Sequence, residues 1–379
     1  MIKKLTLLSL VLILSLSVNL WAQDSPRWSI SPMTTIYPNG QYVDLPQVTY
    51  ENPNKTPKTV VTPIGTFVVA PNIRVYPSST QQTETPIVRH PTNQNIMLGS
   101  SNATFGFFIS EGVYVTTNGG TAWFGSDTLN ANGNIAQQRG DPGPTITTNG
   151  TFIMTHLRSN TVFGGVTGIS AAFSTNNGLT WSTDVQFSFS SGDDKNLAAS
   201  NEVAGPNFGN AYCVWCRFFG GNNAHIWFSR TTDNGTSWIS PVQVNVSQAG
   251  HFSQGADMGR VAPNGNLYVT WTAGVQGAPF TEDFLGFAVS TNNGDTWTPT
   301  ENAYDVNGTR SFSFNGWGIR TNGFPRIDVD RSGGPRNGWI YIVTDEFNLS
   351  PAGSDADVIL HRSTNGGTTW SAGIRVNQD

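Results

Sequence analysis

Three features of the sequence predict an all-β fold built from a repeated four-stranded unit. First, Thr116–Trp123, Ser174–Trp181, Thr231–Trp238, Ser290–Trp297 and Ser363–Trp370 read TTNGGTAW, STNNGLTW, TTDNGTSW, STNNGDTW and STNGGTTW. Their tryptophans lie 58, 57, 59 and 73 residues apart, and a near-fixed period marks one supersecondary unit copied along the chain. Second, only 12% of residues are charged while 41 of 379 are Gly, which suits tight turns. The 12 Trp and 22 Phe supply a large apolar core and argue against disorder. Third, the apolar runs are short, bounded by Gly turns, and without helical periodicity.

Taken in order, residues 1–22 read as a signal peptide. Lys3 and Lys4 precede the apolar run Leu5 to Leu16, and Asn19-Leu20-Trp21-Ala22 offers a cleavage point before Gln23. The run is short for a membrane span, and no later segment approaches the roughly 20 apolar residues that spanning requires. Gln23, not Cys, stands directly after the cleavage point, so no lipid anchor is expected there. The protein is expected to be secreted or at the cell surface, with no membrane association after cleavage. An uncleaved anchor is the alternative. Residues 23–71, with seven prolines from Pro26 to Pro63, read as an extended N-terminal arm, with one hairpin over Thr59 to Val69.

The repeats occupy 72–379, with units near 85–133, 144–190, 203–246, 258–300 and 324–377. Four have a Gly turn (Asn149-Gly150, Phe208-Gly209, Asn264-Gly265, Asn337-Gly338) followed by an apolar run, a strong hairpin signal. A third run leads into the octapeptide and a fourth leaves it, clearest at Val242–Val244 and Ile374–Val376. Four strands in about 58 residues are the content of one propeller blade. The octapeptide is then a loop between third and fourth strands. Asn118, Asn176, Asp233, Asn292 and Asn365 supply an oxygen that accepts backbone N–H bonds about two residues on. Gly120, Gly178, Gly235, Gly294 and Gly367 take a backbone conformation costly for other residues. Trp123, Trp181, Trp238, Trp297 and Trp370 anchor the loop by burial.

These five loops resemble the Asp-box, or BNR repeat, Ser-x-Asp-x-Gly-x-Thr-Trp, of the sialidase (neuraminidase) superfamily. The likeness covers roughly residues 85–379. Gln82-Thr83-Glu84-Thr85-Pro86 and Arg139-Gly140-Asp141-Pro142 resemble stretches of secreted bacterial sialidase-like proteins. The resemblance implies a sialidase-like β-propeller of four-stranded blades, with the boxes on the rim, away from an active site. It also implies six blades, where five repeats are visible. The chain stops after the last unit's fourth strand, and Asn72–Tyr76 resembles that strand. A sixth blade is therefore expected to be incomplete or truncated, with a five-bladed or open arrangement as the alternative.

A sialidase of this type is expected to hold the substrate carboxylate with three arginines, to attack with a Tyr activated by Glu, and to use an Asp acid/base. The family's Phe/Tyr-Arg-Ile-Pro motif is absent; Ile73-Arg74-Val75-Tyr76-Pro77 and Phe324-Pro325-Arg326-Ile327-Asp328 are imperfect echoes. The candidates are Arg139, Arg260 and Arg326, read as lying near first-strand starts, with Tyr341, Glu346 and Asp141. Tyr341 has counterparts at Tyr212 and Tyr268, each three residues past a Gly turn, which points to a core position. Glu111 is the one acid just ahead of the first box.

The remaining composition narrows the partners. Losing the signal moves the formal charge from −5 to −7, with 15 Arg against three Lys left; an acidic chain without basic runs argues against nucleic acid. Cys213 and Cys216, three apart on a strand-like run, face opposite sides and read as two buried thiols. The five histidines lack ligand spacing, and nothing indicates a nucleotide, haem or metal cofactor. Two functions stay open. One is a non-catalytic propeller that binds glycan or a cell-surface protein, as a monomer or as a module of a longer chain. The other is an exo-α-sialidase or related glycoside hydrolase with a divergent site.

Overall fold

The computed structural model describes residues 75–78, 80–105, 108–131, 137–161, 164–220, 222–311 and 321–377, with short strands further toward the N-terminus. The chain divides into two compact units, residues 1–81 with 317–319 and residues 82–316 with 320–379. In the first, Lys58–Thr62 pairs with Gly65–Val69 as the expected hairpin, and Thr34–Ile36 pairs with Tyr42–Asp44. The signal peptide, Arg74 and much of the arm lie outside the described residues.

Among the described residues the second unit holds five antiparallel blades. Blade 1 runs Ile87–Arg89, Met97–Phe105, Phe108–Thr116 and Phe124–Ser126. Blade 2 runs Gly143–Ile146, Phe152–Arg158, Gly168–Ser174 and Val185–Gln186. Blade 3 runs Asp193–Ser200, Ala211–Phe219, Asn223–Thr231 and Val242–Gln243. Blade 4 runs His251–Asp257, Leu267–Val275, Glu282–Ser290 and Thr298–Gly308. Blade 5 runs Arg326–Val329, Ile340–Glu346, Asp357–Ser363 and Ile374–Arg375. A bridge between Gly308 and Glu346 joins the last two blades edge to edge. The predicted sixth blade falls outside the described residues.

Blades 3 and 4 start earlier than the sequence pattern placed them, at Asp193 and His251 rather than 203 and 258. Their first strands are polar, Asp193-Asp194-Lys195-Asn196 and Ser253-Gln254, and both carry a bulge, between Asp194 and Leu197 and between Gln254 and Asp257. A bulge breaks the two-residue alternation, and inward-facing polar groups hide an innermost strand from an apolar pattern.

Four apolar clusters fill the spaces between successive blades. Between blades 3 and 4, Tyr212, Val214 and Phe228 meet Met258, Leu267 and Trp271. Cys213 packs toward blade 2 and Cys216 toward blade 4, both free and buried, as strand alternation requires.

The boxes obey one hydrogen-bond plan. In each, the opening Ser or Thr hydroxyl donates to the Asx oxygen and accepts the N–H of the box Gly, at 2.8–3.0 Å for the latter. The Asx oxygen accepts the N–H four residues on, at Ala122, Thr180, Ser237, Thr296 and Thr369, rather than two. Asn replaces Asp freely because its amide donates to a Thr hydroxyl (Asn176 to Thr180, 2.8 Å), whereas Asp233 accepts from Ser237 at 2.6 Å. The hydroxyl between them turns to suit. The boxes also latch blades together. Tyr212 donates to Asn293 at 2.7 Å, and Arg230 reaches the Asn293 carbonyl at 2.9 Å.

Candidate functional site

The innermost strands of the five described blades line a central channel, with charged side chains from blades 1, 3, 4 and 5 and none from Gly143–Ile146 of blade 2. The channel's front mouth is lined from the starts of these strands in blades 1, 2, 3 and 5 and from Asp257, the last residue of the bulged first strand of blade 4, and its rear mouth from the turns that follow the strands. In the middle, about 350 Å³ is lined by His90, Thr145, Ala198, Met258 and Ile327 among others. The front mouth, about 370 Å³, is lined by Glu84, Pro142, Lys195, Asp257 and Arg326. The rear mouth, about 850 Å³, is lined by Glu202, Phe208, Arg260, Asp328, Arg331 and Tyr341. The boxes sit on the rear side, since alternate hairpins of an antiparallel blade share a side; Gly119 of the first box donates to the Asn95 carbonyl in the first Gly-side turn at 2.9 Å.

Three chain segments meet at the front. Lys195 forms an ion pair with Glu84, and its backbone N–H donates to Asp141 at 2.9 Å. The Asp141 N–H donates in turn to Asn102 at 2.8 Å. Glu84, Asp141 and Lys195 all hold left-handed backbone, with φ of 50°, 56° and 52°. Such conformations cost about 1–3 kcal/mol each outside glycine and concentrate at functional sites. Burial, with the nearby charges of Glu84 and Asp194, pushes the Asp141 carboxyl up to about 7 although Lys195 opposes it. Across the mouth, Asp257 accepts the Ile327 N–H at 3.0 Å. Burial raises its pKa against the pull of Arg326.

No protein-family model matches the chain, and neither does any curated protein. Solved structures do. A Hadza microbial sialidase superposes with TM-score 0.54 at 14% identity, over 79% of this chain and 59% of its own. An intramolecular trans-sialidase from Ruminococcus gnavus gives 0.52 at 10% identity, over 79% and 85%. An α-L-arabinofuranosidase from Fusarium graminearum gives 0.52 at 12% identity, over 78% and 80%. The fold is the sialidase-like β-propeller.

Within this sialidase-like propeller the sequence-derived candidates separate. Arg139 precedes blade 2 and gives its guanidinium to the backbone carbonyls of Gly164 (2.8 Å), Gln138 and Thr161. Arg260 follows the first strand of blade 4 instead of opening it, because that strand is His251–Asp257. It therefore lies at the rear, bound to Asp328 through two N–H groups at 2.9 and 2.7 Å. Arg326 opens blade 5 and lines the front mouth. Tyr341 lines the rear mouth and is only half-buried, unlike its counterparts Tyr212 and Tyr268. Glu346 is buried and accepts from Thr344 at 2.5 Å. Tyr341 and Glu346 are five residues apart on one strand, which is about 17 Å with side chains on opposite faces. Of the six, only Asp141 and Arg326 belong to the front mouth. Lys195, Glu84 and Asp257 were missed. The one available signal was that Lys195 is one of three lysines after residue 22.

Glu111, the acid ahead of the first box, is buried beside His156 rather than at a mouth. His156 Nδ1 faces the Leu157 carbonyl at 2.8 Å and Nε2 faces Asp184 at 3.1 Å, so both nitrogens carry hydrogen. Against its burial, Asp184 and Glu111 raise His156 to about 9. Burial pushes the Glu111 carboxyl up to about 8, despite His156 and the backbone N–H groups of Gly140 and Glu111 nearby. A raised carboxyl loses stability as pH rises from its unfolded value near 4.5 through 8. The His156 contribution is present below 6.5 and is lost as pH rises through 9. Stability is therefore expected to fall between about pH 5 and 9. Glu111→Gln removes the carboxyl part, so the variant is expected to lose less stability than wild type between pH 5 and pH 8.5. Urea midpoints at pH 5 and 8.5 measure it, and parallel profiles for the two proteins would refute the assignment.

Proposed function

We propose that this protein is an exported carbohydrate-binding propeller whose front mouth holds a glycan without carrying out the sialidase reaction. One observation carries the reading. The groups that would clamp and attack a sialoside do not converge, since Arg139 is occupied by backbone carbonyls, Arg260 is at the rear, and Tyr341 is distant from Glu346. What the front mouth does offer is a set of acceptors and donors, Glu84, Asp257, Lys195 and Arg326, drawn from blades 1, 3, 4 and 5. Such alternating polar groups suit sugar hydroxyls. The signal-like first 22 residues support export, and among the described residues no helix is long and apolar enough to cross a membrane. The expected result is no release of fluorophore from a 4-methylumbelliferyl sialoside. Binding on a glycan array is expected to weaken at least tenfold in Lys195→Ala and Arg326→Ala. Sialoside cleavage that disappears in Arg326→Ala and Tyr341→Phe would overturn the reading.

A second reading, a glycoside hydrolase using carboxylates alone, is favoured by Asp141, which stays protonated to about 7 beside Glu84 and Asp194. A proton-donating acid near neutral pH is what glycoside cleavage requires. Its mark is turnover of an uncharged aryl glycoside that falls at least a hundredfold in Asp141→Asn. No turnover across a panel of aryl glycosides between pH 5 and 7 leaves the binding function alone.

A further inference from the structure

The rear mouth has the larger cavity of the two, about 850 Å³, inside the roughly 300–1,000 Å³ range of small-ligand sites. Its wall is drawn from the Gly-side turns of all five blades, with Thr92, Thr148, Glu202, Pro263 and Asp330 among its lining. Two ion pairs cross between blades there. Arg260 of blade 4 holds Asp328 of blade 5 through three hydrogen bonds, and Arg331 holds Glu202, 129 residues away. The Arg260 and Asp328 side chains stay 48% and 51% exposed, so the pair faces open space.

The chemistry of the wall selects the ligand. An anion would have to take Arg260 or Arg331 from a carboxylate that already neutralises it, and a cation would meet the same obstacle in reverse. An uncharged polyol need break neither pair. A guanidinium has five N–H donors and a carboxylate about four acceptor sites. The Arg260–Asp328 pair uses two N–H donors and three acceptor sites on each other, and the Val329 N–H takes the fourth Asp328 site at 2.8 Å. Asp328 thus fixes Arg260 in place, and three of the five guanidinium N–H donors are left for ligand hydroxyls. Two aromatic rings complete the cavity. Tyr341 is the cross-strand partner of Asp328. Phe208, in the loop between the first two strands of blade 3, is 53% exposed, a position with little folding benefit for a large apolar ring. Aromatic faces flanked by planar polar groups cover both the C–H and the O–H surfaces of a sugar ring.

We propose that the rear mouth is a second binding site, for a short uncharged oligosaccharide, independent of the front mouth. Wild-type protein is titrated calorimetrically with xylotriose, cellotriose, maltotriose, mannotriose and chitotriose, and with 3′-sialyllactose as the charged comparison. At least one neutral trisaccharide is expected to bind, with affinity lowered tenfold or more by Phe208→Ala and by Asp328→Asn, and unchanged by Lys195→Ala at the front. Melting temperatures of the variants guard against misfolding, and Phe208→Ala, at an exposed ring, is expected to melt with wild type. Three outcomes overturn the proposal: no neutral trisaccharide binds at millimolar concentration, binding is lost in Lys195→Ala but kept in Phe208→Ala, or sialyllactose alone binds. The second of these locates sugar binding at the front and leaves that reading intact.

Discussion

Gly294→Ala is expected to lower the melting temperature by about 5–10 °C, the joint effect of a clash and a backbone penalty. Gly294 sits in the fourth box at φ 87°, and a Cβ built there would lie 2.1 Å from Cε1 and 2.4 Å from Cζ of Phe228 in blade 3. Phe228 is fully buried, stacked 5.8 Å from Tyr212 and edge-on to Trp297 at 5.2 Å, so it has nowhere to retreat. Overpacking of this kind costs about 1–3 kcal/mol, and left-handed backbone adds about 1–2 kcal/mol for a residue with a Cβ. Gly265→Ala separates the two parts, because Gly265 has nearly the same φ, 84°, with no atom within 4 Å of an added Cβ. Thermal melts of both variants decide. If they fall equally, the box does not act as a fastener between blades.

Asp193→Ala is the second change expected to be severe, costing about 3–5 kcal/mol, as removal of one partner from a buried ion pair does. The Asp193 carboxylate opens blade 3 with no solvent exposure. It accepts the Trp215 indole N–H at 2.9 Å, the Arg217 Nε–H at 2.6 Å and the Ser188 hydroxyl. The Arg217 guanidinium lies 4.3 Å over the Trp227 ring, so without Asp193 it is held in a dry place with no counter-charge. Asp193→Asn keeps an acceptor for one donor and is expected to fall between. Urea denaturation of the three proteins tests this, and an Asp193→Ala midpoint matching wild type would show that the network is not structural.

The parts of the fold that were legible in the sequence are those written locally. The hairpins at Gly150, Gly209, Gly265 and Gly338 all carry positive φ, from 84° to 86°, and the boxes close within eight residues. The separate fates of Cys213 and Cys216 followed from strand alternation alone. The first strands of blades 3 and 4 were not legible, because Asp193–Asn196 and Ser253–Gln254 are polar inside a packed protein and bulges break their period. Arg260 was misplaced by the same cause. Once the strand before it was assigned elsewhere, it read as opening a strand that it in fact follows.

The sequence by itself determined the blade, its period and the box chemistry, because each depends on residues within a hairpin of one another. Which charged groups meet was decided only by the tertiary structure. Glu84 and Lys195 are 111 residues apart, and Glu202 and Arg331 are 129 apart. Each pair forms because successive blades turn about one channel and bring distant strand ends to the same mouth. Spacing along the chain says nothing of that angle, and so the propeller was visible in the sequence while the contents of its two mouths were not.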